Sequence, residues 1–83
     1  MEEDQHLESS IREFLAAEFH LDGASITADT ALVSSGLVDS AALIRLAALV
    51  ERECDLIIPD RDVSAEHFDS IRKIRAYVAA RLS

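Results

Sequence analysis

Ser40 is the side chain in this sequence best placed to do chemistry. It follows a carboxylate directly, at the end of Gly36-Leu37-Val38-Asp39-Ser40, and it opens an apolar helical stretch. A serine at a helix start caps it, its oxygen accepting from a free N–H of the first turn. The same position suits an attached phosphate, because first-turn N–H groups and the helix dipole favour an anion. Both uses of Ser40 stay open on the residues alone. The other candidate groups are scattered. His6, His20 or His67 with one of the many acids could complete a triad on Ser40, but there is no Gly-x-Ser-x-Gly elbow. A chain of 83 residues also leaves little room for a substrate cleft. The histidines share no helical spacing, so no metal site is expected. Cys54 is the one cysteine, which excludes an internal disulfide or a thiolate cluster.

The elements that hold Ser40 must come from a single domain, residues 1–83, near the size where one core is only just adequate. That core is aliphatic: 49% of residues are hydrophobic but 5% aromatic, and two Gly with one Pro favour helices over many short strands. A net charge of −8 argues against a nucleic-acid partner, whose phosphates need Lys and Arg. It favours partners with basic surfaces. Residues 1–69 hold all sixteen acids and four bases, whereas residues 70–83 hold Arg72, Lys73, Arg75 and Arg81 with no acid. A basic last helix folding onto an acidic body is enough to explain that split. No apolar run reaches membrane-spanning length, and Met1-Glu2-Glu3-Asp4 is the reverse of a secretory leader. A soluble cytoplasmic protein is expected.

Leu7, Ile11, Phe14, Leu15 and Phe19 keep the spacing of an amphipathic helix over about residues 3–19, with Asp22-Gly23 as its stop. No period is sustained from Asp22 to Asp39, which reads as a long ordered loop pinned by Ile26, Leu32, Val33 and Leu37. A second helix over about residues 40–53 has Arg45 as its one polar residue between Ala41 and Val50. Leu43, Leu46, Ala47, Val50 and Cys54 form its core face; Ala41, Ile44, Ala48 and Leu49 are left over, and a partner-binding surface explains them best. Leu56-Ile57-Ile58-Pro59 is an extended connector, anchored through Leu56 or Ile58. Residues 63–68 give one helical turn anchored by Phe68. Ser70 caps a last helix whose stripe is Ile71, Ile74, Val78 and Leu82. The expected fold is all-α: a four-helix bundle of three main helices and one short one, with a long first loop.

In these pieces the chain resembles the acyl carrier proteins and the related peptidyl carriers, and the likeness covers nearly its whole length. It rests on Asp29-Thr30-Ala31-Leu32, Gly36-Leu37-Val38-Asp39-Ser40, Ile58-Pro59-Asp60, Phe68-Asp69-Ser70-Ile71 and Tyr77-Val78. The resemblance implies a free-standing carrier with 4′-phosphopantetheine attached at Ser40. A magnesium-dependent phosphopantetheinyl transferase would move the group from coenzyme A, with Asp39 helping to position the serine and the metal. An acyl- or aminoacyl-loading enzyme would then charge the arm, and downstream synthase or tailoring enzymes would receive the cargo. The carrier itself would do no bond-making, and a monomer that binds no membrane is expected. Leu32, Phe68 and Ile71 pack the core and could edge a cavity for an acyl chain.

Two departures bear on the pathway. Ala41 follows the serine where the family most often has a large apolar residue, and Arg45 stands where fatty-acid carriers usually have an acid. Glu51 and Glu53 remain of that acidic run. The partner surface is accordingly read as Ala41, Ile44, Arg45, Ala48 and Glu51. The combination is more like carriers of specialised metabolism, holding an aminoacyl or short acyl unit, than a general fatty-acid carrier. A rival of another class is an unmodified helical interaction module that uses the same helix face.

Overall fold

The computed structural model describes residues 2–22 and 25–82, and these are helical with no strand among them. The first helix, α1, spans Glu2–Phe19. Its spacing-of-four residues Leu7, Ile11 and Leu15 are all buried, with Phe14 and Phe19 packed beside them. Glu8 lies one turn from Arg12 and pairs with it at 2.9 Å. The helix stops at His20, which takes a left-handed conformation (φ 55°), while the Leu21 N–H closes back on the Ala16 carbonyl at 3.0 Å. The stop therefore precedes Asp22, and Gly23 lies outside the described residues.

The loop that follows is ordered by polar contacts as much as by apolar ones. Ile26, Leu32 and Val38 are buried, with Val33 and Leu37 packed against the core. Asp69 holds the middle of the loop: its carboxylate accepts from the N–H groups of Val33 (2.8 Å) and Ser34 (2.7 Å) and from the Ser34 hydroxyl (2.8 Å). Its backbone carbonyl accepts from the Leu32 N–H. These bonds, the one from the Ser34 N–H first, hold the Asp69 carboxyl below the usual carboxylate range. Gly36 turns the chain at φ +85°, a conformation in which a side chain would be strained. Val38 then returns its N–H to the Leu32 carbonyl at 2.9 Å.

The second helix, α2 (Ser40–Cys54), buries Ala42 in addition to Leu43, Leu46, Ala47 and Val50, while Cys54 is only partly buried. Asp55 ends it in a left-handed turn, its N–H on the Glu51 carbonyl. The connector is extended, with Ile58 buried and Leu56 partly so, and leads into a single 3₁₀ turn at Asp60–Asp62. The short helix α3 (Ala65–Phe68) drives Phe68 fully into the core. The last helix, α4 (Ile71–Leu82), starts on Ser70, whose hydroxyl accepts from the Lys73 N–H at 3.1 Å. Ile71, Ile74, Tyr77 and Val78 are buried, but Leu82 is exposed, because the apolar stripe runs on to the last described turn of the helix, past the core. The basic helix does fold onto acids: Arg72 pairs with Asp29 (2.6 Å), Arg75 with Glu8 (3.1 Å) and Arg81 with Asp62 (3.8 Å).

Candidate functional site at the head of the second helix

Which residue caps α2 decides what Ser40 is free to do. Asp39 does the capping. Its backbone is extended, its Oδ1 accepts from the Ala42 N–H at 2.8 Å, and its carbonyl takes the Leu43 N–H at 2.8 Å. Ser40 is thereby the first residue of the helix proper. It is exposed, and its hydroxyl has no hydrogen-bond partner among the described residues. The N–H groups of Ser40 and Ala41 likewise have no partner there. A solvent-facing hydroxyl beside two open first-turn donors can take a phosphodiester without breaking any bond of the fold.

From Ser40 an open groove of about 440 Å³ runs along α2. One wall is the helix, through Ser40, Leu43, Ile44, Ala47, Ala48 and Glu51; the other is the connector, through Ile58, Asp60 and Val63. Leu32, Phe68 and Ile71 do not edge it. They are fully buried, as the packing anchors their spacing made them. Sequence reading missed the second wall, because an extended connector has no period to show which side faces α2. The same reading placed Asp69 in the Phe68-Asp69-Ser70-Ile71 motif but gave it no role in holding the loop.

The residues read as a partner surface fall on one exposed helix face, though not all are equally free. Ala41 and Ala48 are exposed, and Ile44 is 66% exposed, unusual for a large apolar side chain. Arg45 forms an ion pair with Glu18 of α1. Glu51 turns inward and accepts from the Ile58 N–H at 2.8 Å, which ties the connector to α2. Glu53 is engaged elsewhere, by the Ser10 hydroxyl at 2.7 Å and His6 at 2.6 Å. The Ser10 bond, followed by the charge of His6, holds its carboxyl below the ordinary range. No triad assembles on Ser40: His6 is on Glu53, His67 lies against the Tyr77 ring at 4.8 Å, and His20 ends α1. The described residues contain no cluster of metal-ligating side chains.

Comparison with protein families decides the kinship. The family model described as a phosphopantetheine attachment site matches residues 9–78, most of the chain. The chain belongs to that family. No curated protein matches it significantly. Membership makes it a carrier protein that bears covalent 4′-phosphopantetheine, of the acyl and peptidyl carrier kind, and such domains are generally not catalysts. They work with transferases and acyl-handling enzymes. No helix among the described residues of this carrier is long and apolar enough to cross a membrane.

Proposed function

We propose that residues 1–83 form a single carrier domain modified at Ser40, and that the cargo is a short acyl or aminoacyl unit in a specialised biosynthetic pathway. The observation that carries the site assignment is the exposed, unbonded Ser40 hydroxyl at the mouth of the groove. Of the other serines, Ser10, Ser34, Ser35 and Ser70 are each engaged in hydrogen bonds of the fold. When bound, the arm supplies a terminal thiol that holds the cargo as a thioester. The protein's own part is to anchor, shield and present. Asp39 keeps the first turn of α2 formed around the attachment point, and its carboxylate is accessible to a transferase and its magnesium. Leu43 and Ala47 floor the groove with apolar surface on which cargo can rest.

Partners dock on the face of Ala41, Ile44, Arg45 and Ala48, with Glu51 at the groove edge. They comprise the phosphopantetheinyl transferase, a ligase- or adenylation-type loading enzyme, and downstream synthase or tailoring enzymes. Small side chains at 41 and 48 leave a shallow patch, which suits a partner set different from that of fatty-acid synthesis. The protein acts in the cytoplasm as a monomer: Ile44, Ile57 and Leu82 are the large apolar side chains exposed among the described residues, too little for an obligate interface.

The test is the mass of the intact protein isolated from its native cells, beside a Ser40→Ala variant. One discrete small acyl or aminoacyl adduct, lost in the variant, is the expected result. A ladder of even-carbon acyl chains would mean general fatty-acid synthesis. An arm retained in Ser40→Ala would overturn the site.

A further inference from the structure

The two walls of the groove differ in kind. The α2 wall is a continuous helix with a buried face, whereas the connector wall, residues 56–63, has one 3₁₀ turn as its only regular structure. Its position depends on a few side-chain bonds. Glu51 holds the Ile58 N–H from the α2 side at 2.8 Å. From the other side α4 supplies the rest: the Tyr77 hydroxyl donates to Asp62 Oδ2 at 2.7 Å, and Arg81 donates to the Tyr77 oxygen at 2.8 Å and to the Ile57 carbonyl at 3.0 Å. Tyr77 is buried against Phe68 and His67, with the Arg81 guanidinium 5.8 Å from its ring centre. Burial, with the bond to Asp62, pushes the phenol above its usual range, so it stays a donor at neutral pH.

We propose that Tyr77 and Arg81, which do not line the groove, are positioning residues for the cargo: they hold the connector against α4 and so set how far the groove opens along α2. The proposal rests on the reading that cargo on Ser40 lies in this groove. With the clamp made, Ile58 and Val63 stay packed towards Leu43 and Ala47, and apolar cargo between them is shielded. With the clamp broken, the connector keeps its bonds to Glu51 and the packing of Leu56, Ile58 and Val63, and it swings away more often. Cargo long enough to reach Ala47 then loses its cover, while a two-carbon unit near the arm's end has no cover to lose.

The test uses the intact carrier loaded at Ser40 from acetyl- or octanoyl-coenzyme A by a broad-specificity transferase. Tyr77→Phe removes the hydroxyl and keeps the ring that packs on Phe68; Arg81→Gln is a second, independent cut. Glu8→Gln, which loses ion pairs remote from the connector, is the control for a general loss of stability. Two rates are read: amide hydrogen exchange of Ile58 and of residues 60–63, and release of the acyl group by hydroxylamine, which attacks the thioester carbonyl and frees the thiol. Loss of a hydrogen bond to a charged partner is expected to raise connector exchange about tenfold. Octanoyl release should rise with it, leaving acetyl release and the Glu8→Gln protein unchanged. Connector exchange that does not rise, or that rises without faster octanoyl release, overturns the proposal alone. Equal shielding of acetyl and octanoyl in the unaltered protein would remove the cargo-in-groove reading and the proposal with it.

Discussion

The division of labour between Asp39 and Ser40 can be taken apart with two substitutions. Asp39 supplies one hydrogen bond to the Ala42 N–H (2.8 Å) at an exposed helix start. Asp39→Ala removes it, and capping residues of this type are worth about 1 kcal/mol. For a domain of this size that lowers the melting temperature by about 4–8 °C. Asp39→Asn keeps an oxygen in the same place and caps about as well, so its melting temperature should stay close to that of the unaltered protein. The two variants differ in the other role. Asparagine lacks the charge that would hold magnesium beside the serine, so transfer of the arm from coenzyme A should slow in both. Thermal unfolding by circular dichroism and intact-mass time courses with a transferase read the two effects separately. If Asn destabilises as much as Ala, capping is not what Asp39 does. If Asp39→Asn is modified at the normal rate, the carboxylate charge has no part in transfer.

Other expectations follow from single contacts. Asp69 has a carboxyl held below the usual carboxylate range, so its contribution is complete above the unfolded pKa and is lost as pH falls through the lower folded value. Between the unaltered protein and Asp69→Asn, the difference in melting temperature should shrink below about pH 4; a difference constant from pH 7 to 3 would refute the loop clamp. Gly36→Ala places a side chain at φ +85° and should cost about 1 kcal/mol in denaturant unfolding. Arg45→Ala breaks an exposed ion pair with Glu18, so stability should fall by less than about 1 kcal/mol. Its effect should appear instead in the association rate and salt dependence of a cognate partner enzyme; unchanged rates with every partner would put docking on another surface.

Much of the architecture was readable in one dimension, because a helix writes its buried face into the chain at a period of 3.6. Leu7, Ile11 and Leu15 announced α1, Leu43, Leu46, Ala47 and Val50 announced α2, and Ile71, Ile74 and Val78 announced α4. The anchoring of Phe68, the capping by Ser70 and the placement of Ser40 at the head of a helix were legible for the same reason: each is a local rule acting within a few residues.

What only the tertiary structure decided depends on residues that the chain brings together from afar. Two adjacent residues, Asp39 and Ser40, could each cap α2, and local preference does not choose between them. The choice goes with the way the loop enters the helix, with Val38 buried and bonded to Leu32 and Asp39 left extended. Leu32 is in turn held by Asp69, and the Asp69 carboxylate reaches Val33 across 36 residues, a pairing no period predicts. The groove is likewise a product of packing. Its helical wall is written in α2, but its other wall exists because Glu51, Tyr77 and Arg81, on two different helices, fix an aperiodic connector in place. Hydrophobic period reports which side of an element is buried; it carries no information about which polar groups, far apart in the chain, will find one another once it is.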